Sequence, residues 1–342
     1  MFEPTFQYTD VIVNNLTRIE EARTIINRAP LIPNWELSLR KAAFLTSAHS
    51  STAIEGNTLS FEEVTALAEG QNITVRRKDR QEVLNYFNAL EKIPDFASEN
   101  PLTETDLLEI HRIITEETLD NSEDEGSFRN RQVVVGNRIT GEVIFRPPDT
   151  AEVTRLIGNF LEWFNSPQLE RFNPVITSGI THYELVRIHP FIDGNGRTAR
   201  IMAMLVLYKK GYDVKRFFSL DDFYDMDRAA YYEALNSVNQ ESLDLTNWLE
   251  YFTEGVAVSI KAVEDKVLGL SRHEGQIPLN ERQMKIVEKL IAEKRIANRD
   301  IQEMFNLSHS SAFDEIKKLL DLKVIKQMGA GRSVHYVLRQ DD

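Results

Sequence analysis

The sequence predicts a mainly α-helical protein with one small β-hairpin in its middle and a separate C-terminal domain of three helices and a hairpin. Three observations carry this prediction. Apolar residues recur at three- and four-residue spacing through most of the chain up to about residue 265, the period of a helix that buries one face. Two β-prone runs, Gln132–Val135 and Glu142–Phe145, flank the turn-rich stretch Gly136–Gly141. The charge balance also shifts: the chain carries net −13, yet residues 276–342 hold 12 Lys and Arg against 10 Asp and Glu, a surplus of +2 that leaves −15 elsewhere.

Taken in order, Pro30 and Pro33 punctuate an N-terminal helical region. Ser51–Asn57 reads as the end of a short helix stopped by Gly56, with Glu55 solvated and His49 structural. An Asn100-Pro101 turn precedes a helix capped by Thr103, with Asp106 early in its first turn. After the hairpin, Pro147 and Pro148 end the strand, and Asp149 or Thr150 is placed to cap the next helix. There Val153, Leu156, Ile157, Phe160, Leu161 and Phe164 form one core-facing stripe. Ile180–Ile188 and Arg197–Tyr208 read as helices, and His182 as a packed structural histidine. Phe223, Tyr224, Tyr231 and Tyr232 have the spacing of a buried helix face. Ser271–Pro278 reads as a linker. Beyond it, helices are expected at Glu281–Lys294, Asn298–Phe305 and Ser308–Leu322, then strands at Val324–Gln327 and Val334–Val337 around Gly329-Ala330-Gly331. The expected domains are residues 1–102, 103–270 and 276–342.

Composition excludes several classes of function. There is no cysteine, so disulfides, thiolate nucleophiles and zinc–cysteine sites are out. Met1-Phe2-Glu3-Pro4 lacks the basic start and apolar core of a signal peptide, and Ile201–Leu207 is too short an apolar run to span a bilayer. A cytoplasmic protein with no membrane partner is the expectation. Net negative charge argues against a whole chain that coats nucleic acid. No Walker loop occurs. Gly194–Ala199 formally fits a dinucleotide pattern, but a helix precedes it where a buried strand is needed.

The most informative residues are His189-Pro-Phe-Ile-Asp-Gly-Asn-Gly-Arg-Thr-Ala-Arg200. Gly194 and Gly196 allow consecutive N–H groups to converge on an anion at the start of a helix. Asp193 is placed to hold a divalent metal on phosphates, and Arg197 and Arg200 to grip phosphate oxygens. His189 remains to take a proton from an attacking hydroxyl.

All eight fixed positions of H-x-F-x-D-G-N-G-R-x-x-R are filled, and in this the stretch resembles the Fic family. The resemblance implies a helical Fic fold and the transfer of AMP from ATP to a Ser, Thr or Tyr hydroxyl of a target protein. It makes His189 the general base and Asp193 the Mg²⁺ ligand. The Gly194–Gly196 backbone and Asn195 become the α-phosphate anion hole, while Arg197 meets the β-phosphate and Arg200 the γ-phosphate. Gly196 stands where the Doc-type variant has Lys, which disfavours a Doc-like kinase. Ser51–Gly56 is similar to the [S/T]-x-x-x-E-[G/N] inhibitory helix of many Fic proteins, in which Glu55 pairs with Arg200. By the same resemblance the hairpin is a flap that pairs with the target, and Tyr231 or Tyr232 lies near the adenine, with core packing the alternative for each. The last 65 or so residues resemble a winged helix-turn-helix domain. Its third helix carries no Lys or Arg before Lys317, and Arg332 and Lys326 give only a thin basic footprint. DNA binding through 276–342 therefore stays open beside a protein-interaction or dimerisation role, as do a homodimer, self-modification, another nucleotide donor, removal of AMP, and a nucleotide-sensing DNA-binding regulator.

Overall fold

A central helix that is buried almost all round organises the larger part of the protein. The computed structural model describes residues 2–29, 31, 33–98, 101–136, 143–271, 279–293, 295–322, 324–329, 331 and 334–339. Within these the chain forms two compact units, one of Met1–Asn27 with Arg40–Glu264, the other of Arg28–Leu39 with Asp265–Asp342.

Unit 1 is helical. It contains α1 (Asp10–Arg28), most of α2 (Pro33–Ile54), α3 (Phe61–Ala68), α4 (Arg77–Ser98) and α5 (Glu104–Thr115). A two-stranded hairpin follows, β1 (Val135–Gly136) against β2 (Val143–Phe145), and then α6 (Val153–Phe164), α7 (Pro174–Ile188) and α8 (Asn195–Lys209). The last helices are α9 (Leu220–Met226), α10 (Arg228–Asn236) and the first part of α11 (Thr246–Ser271). α8 packs on α7 and α4, and α4 also on α5. A helix surrounded this way cannot be amphipathic, and Thr198, Arg200, Met202 and Leu205 on α8 are all buried. Gly179 of α7 admits α11: a Cβ there would lie 2.8 Å from Leu249, and its carbonyl accepts the Trp248 indole N–H at 2.8 Å.

Local signals fix several boundaries. Thr103 and Asp106 form a capping box at the start of α5, as expected. Neither Asp149 nor Thr150 caps α6 with its side chain, because a 3₁₀ turn over Thr150–Glu152 leads into it. Thr150 Oγ1 instead accepts from Arg129 at 2.7 Å. The hairpin is shorter than its β-prone residues suggest. Gln132 does not join the ladder; its side chain donates to Pro147 O at 3.1 Å and accepts from Thr150 N at 3.1 Å. Pro147 and Pro148 have no N–H to extend the pairing. The turn at 137–142 lies outside the described residues. The boundary expected at 102/103 falls inside unit 1, since α4 and α5 share one core.

Unit 2 contains α12 (Glu281–Glu293), α13 (Asn298–Phe305), α14 (His309–Asp321), β3 (Ile325–Met328) and β4 (His335–Leu338). The strands pair antiparallel from Ile325↔Leu338 to Met328↔His335, and Ile296 adds a separate antiparallel bridge to Tyr336 of β4. Ile286, Leu290, Ile301, Ile316, Leu319 and Tyr336 form its core. Ser308 caps α14 by accepting from Ser311 N at 3.2 Å. Pro30, Asn100, residues 272–278 of the expected linker, Lys294, Ala330 and Arg332 lie outside the described residues. No described helix is long and apolar enough to cross a membrane.

Candidate active site

The loop between α7 and α8 gathers most of the chemistry. His189 closes α7 in the left-handed region at φ 50°. Its Nδ1 lies 3.2 Å from Val186 O, and a carbonyl can only accept, so Nδ1 carries the proton and Nε2 is the basic nitrogen. Burial lowers the His189 pKa below the ordinary 6.5, partly offset by the Val186 carbonyl and by the charge of Glu55. The imidazole is thus neutral near pH 7, as a proton acceptor must be.

The two motif glycines have different reasons, backbone conformation at Gly194 and room for the Glu55 carboxylate at Gly196. Gly194 sits at φ 77°, and a Cβ there would lie 2.7 Å from Thr115 Cγ2. A Cβ on Gly196 would lie 2.2 Å from Glu55 Oε1 and 3.0 Å from Arg200 Nη1. The start of α8 therefore presents bare backbone beside the arginine. Asn195 differs from its expected role: its side chain is buried, donating to Phe191 O at 3.0 Å and accepting from Phe191 N at 2.9 Å. It closes the loop on itself and leaves only its backbone to face an anion. Asp193 is partly exposed and its Oδ1 accepts from Gly194 N at 2.6 Å. No group of three or more metal-ligating side chains exists among the described residues. A cation at Asp193 would thus take its remaining ligands from phosphate and water, which suits Mg²⁺.

Two residues distant in sequence brace this loop. His111 of α5 stacks on Phe191 with ring centroids 3.6 Å apart. Its Nδ1 accepts from Gly126 N at 3.0 Å and its Nε2 donates to Asp193 O at 2.9 Å. Burial pushes its pKa down to about 4. Arg129 donates from Nε to His189 O at 2.8 Å and from its backbone N to Pro190 O at 2.8 Å.

The two motif arginines are one helical turn apart and both buried. Arg200 donates from Nε to Ser51 Oγ at 2.6 Å and from Nη2 to Ser51 O at 2.8 Å. Nη2 also reaches Glu55 Oε1 at 2.9 Å. Asp221 Oδ1 stands 3.3 Å from Nε and accepts from Tyr86 OH at 3.2 Å, while the other oxygen of this buried carboxylate, Oδ2, accepts from Ser47 Oγ. Burial raises the Asp221 carboxyl pKa, opposed by the Arg200 charge. Arg197 is different. Its Nη1 is 3.6 Å from Glu82 Oε1 and its Nη2 3.5 Å from Asp193 Oδ1, while Nε and Nη1 make no hydrogen bond among the described residues.

A cavity of about 120 Å³ is lined by Glu55, His189, Gly196, Arg200, Tyr231 and Tyr232, with Val135 and Phe145 of the hairpin across from them. Asp193, Gly194, Asn195 and Arg197 lie on the adjoining loop and turn rather than in its wall. Tyr231 is buried, stacks on Tyr224 at 4.5 Å and shares a 3.1 Å hydrogen bond with His182 Nε2, whereas Tyr232 is exposed. A wider groove of about 450 Å³ along α1, lined by Tyr8, Leu16 and Glu20 among others, holds no comparable set of groups. His111, Arg129 and Asp221 gave no motif signal, because each reaches the site from a separate element.

Residues 101–207 match the Fic/DOC family, and the chain carries a Fic domain. Among curated relatives, the Aedes aegypti "Protein adenylyltransferase Fic" is 33% identical over 202 residues, covering 57% of this chain and 38% of its own length. The Nematostella vectensis protein of the same name is 30% identical over 233 residues, covering 66% of this chain and 50% of its own. The chain thus spans half or less of the length of these relatives. Among solved structures, a Fic family protein from Desulfovibrio desulfuricans matches with a TM-score of 0.67 at 23% identity, covering 100% of this chain and 99% of that one. A C. elegans Fic-1 fragment gives 0.60 at 25% identity over 76% and 72% of the two chains. The fold is that of Fic proteins.

Proposed function

We propose that this protein is a protein adenylyltransferase that moves AMP from ATP to a hydroxyl side chain of a target protein. The observation that supports it most directly is the single cavity shared by His189 with a basic Nε2, the bare backbone at Gly196 and the Arg200 guanidinium. His189 Nε2 takes the proton of the acceptor hydroxyl as its oxygen attacks the α-phosphorus. The bond from that phosphorus to the bridging oxygen of the β-phosphate breaks, and pyrophosphate leaves. The N–H groups at the start of α8 stabilise the charge on the α-phosphate oxygens. Arg197, buried with donors in reserve, holds the β-phosphate, and the Nη edge of Arg200 the γ-phosphate. Asp193 holds Mg²⁺, which neutralises phosphate charge when bound. Most of the rate then comes from positioning and electrostatics.

In this reading Glu55 restrains the enzyme. Its carboxylate uses the Arg200 edge that the γ-phosphate needs and repels the phosphate charge. The helix–helix–helix–hairpin order of unit 2 supports a winged helix-turn-helix domain. His309, Ser310, Ser311 and Phe313 are exposed at the start of α14, a set better suited to a protein partner than to DNA phosphates. ATP as donor fits a cytoplasmic setting.

The test uses purified Glu55→Gly protein with Mg²⁺ and α-labelled ATP, alone and in cell lysate, beside the Glu55→Gly/His189→Ala double variant. Loss of the base should lower protein labelling by roughly 10²- to 10⁴-fold. Labelling that persists without His189 would refute the mechanism. Labelling only with another α-labelled nucleotide would change the donor.

A further inference from the structure

We propose that Asn57 and Glu82 are positioning residues that hold the Glu55 turn against Arg200 and tie that turn to Arg197. The inference rests on Glu55 acting as the restraint described above. α2 ends at Ile54, and the chain reverses at Glu55–Gly56, where Gly56 has φ 96°. Backbone bonds from Glu55 N and Asn57 N to Thr52 O, both 3.1 Å, and from Gly56 N to Ala53 O at 2.9 Å shape the turn, so what anchors its two ends decides where the Glu55 carboxylate goes.

Both ends are fixed, and by different helices. Upstream, Ser51 is bonded through its hydroxyl and its carbonyl to Arg200 of α8. Downstream, the buried Asn57 amide donates to Asp79 O at 2.8 Å and to Glu82 Oε2 at 3.0 Å, both on α4. Its Oδ1 accepts from Leu59 N at 3.1 Å, and the neighbouring Thr58 hydroxyl donates to Asp79 Oδ2 at 2.8 Å. Glu82 has a second contact. Its other oxygen, Oε1, faces Arg197 Nη1 at 3.6 Å. One carboxylate therefore touches the inhibitory turn with one oxygen and the second motif arginine with the other.

This arrangement has an energetic consequence. With residues 51 and 57 both anchored, little conformational entropy is lost when Glu55 reaches Arg200. Releasing the downstream anchor restores that loss and weakens the competition Glu55 offers to a γ-phosphate. The nucleotides that report it are ATP, which has a γ-phosphate, and ADP, which does not.

The experiment is calorimetric titration of the full chain with MgATP and MgADP. Asn57→Asp retains an acceptor for Leu59 N but cannot donate to Glu82 and places like charges together; Asn57→Ala removes the bonds without adding charge. Both should raise the preference for ATP over ADP roughly fivefold, about the worth of one hydrogen bond, toward that of Glu55→Gly. Neither should change the preference within a Glu55→Gly background, and ADP binding that persists reports an intact fold. An unchanged preference in the Glu55-containing protein, or an equal change in both backgrounds, would overturn the inference. Failure of Glu55→Gly itself to raise the preference would instead remove the restraint, and the tie with it.

Discussion

Arg197 and Arg200 lie one turn apart on the same buried helix, yet their surroundings are opposite. Arg200 meets two carboxylates, a hydroxyl and a carbonyl, whereas Arg197 has two donors without hydrogen bonds among the described residues and looser ion pairs, at 3.6 and 3.5 Å, with Glu82 and Asp193. A buried charge is tolerated only where it is compensated or where a ligand will compensate it. Arg200 is therefore compensated by the fold, and its use by a phosphate requires displacement of one partner. Arg197 is compensated more loosely, by ion pairs of 3.6 and 3.5 Å with Glu82 and Asp193. The partners of Arg200 also divide: Asp221 is buried and held by Ser47 and Tyr86, while Glu55 is partly exposed on a turn. Asp221 is the fixed counter-ion and Glu55 the removable one.

Stability separates the two arginines most sharply. Arg200→Met strands the Asp221 carboxylate and frees Glu55, and should lower unfolding stability by about 3 kcal/mol. Arg197→Met removes a looser ion pair with Glu82, which keeps its bond to Asn57, and should cost less, roughly 1 kcal/mol. Chemical denaturation of both variants measures the difference, and equal losses would break the distinction between them.

The next largest effect concerns pH. Because burial lowers the His189 pKa, the neutral base persists as pH falls past 6.5. The acidic limb of the transfer rate in Glu55→Gly protein should have its midpoint below that value. A midpoint at or above 6.5 in this variant, from which the Glu55 charge is already gone, would mean that the Val186 carbonyl and the Asp193 charge outweigh burial at the base. Smaller still is the contribution of His182, whose pKa burial lowers well below 6.5. The unfolded chain binds the proton first, so this stability is present above 6.5 and is lost as pH falls below it. His182→Gln should flatten the decline in thermal stability between pH 7 and pH 5, and an unchanged decline would show that other groups carry it.

What the sequence reveals follows the range of the interactions. The loop from His189 to Arg200 was legible because chemistry and geometry are packed into contiguous residues, and the helices of unit 2 because caps and apolar period are local signals. The Thr103 box was legible for the same reason. The hairpin was overestimated, since β-propensity registers Gln132–Val134 but not the side-chain contacts that replace the ladder there. The loop-closing bonds of the Asn195 side chain to Phe191 gave no signal, because a polar side chain in a phosphate-binding motif can as easily bond its own loop. His111, Arg129, Asp221 and Glu82 were silent, for their roles depend on helices that meet only after folding.

The most direct test of the account compares initial rates of AMP transfer from α-labelled ATP by the unaltered protein and by Glu55→Gly under identical Mg²⁺. Freeing the Nη edge of Arg200 from a charge-assisted hydrogen bond should raise the rate by about tenfold or more. A rate that is unchanged or lower in Glu55→Gly would contradict the claim that Glu55 restrains the enzyme by holding Arg200.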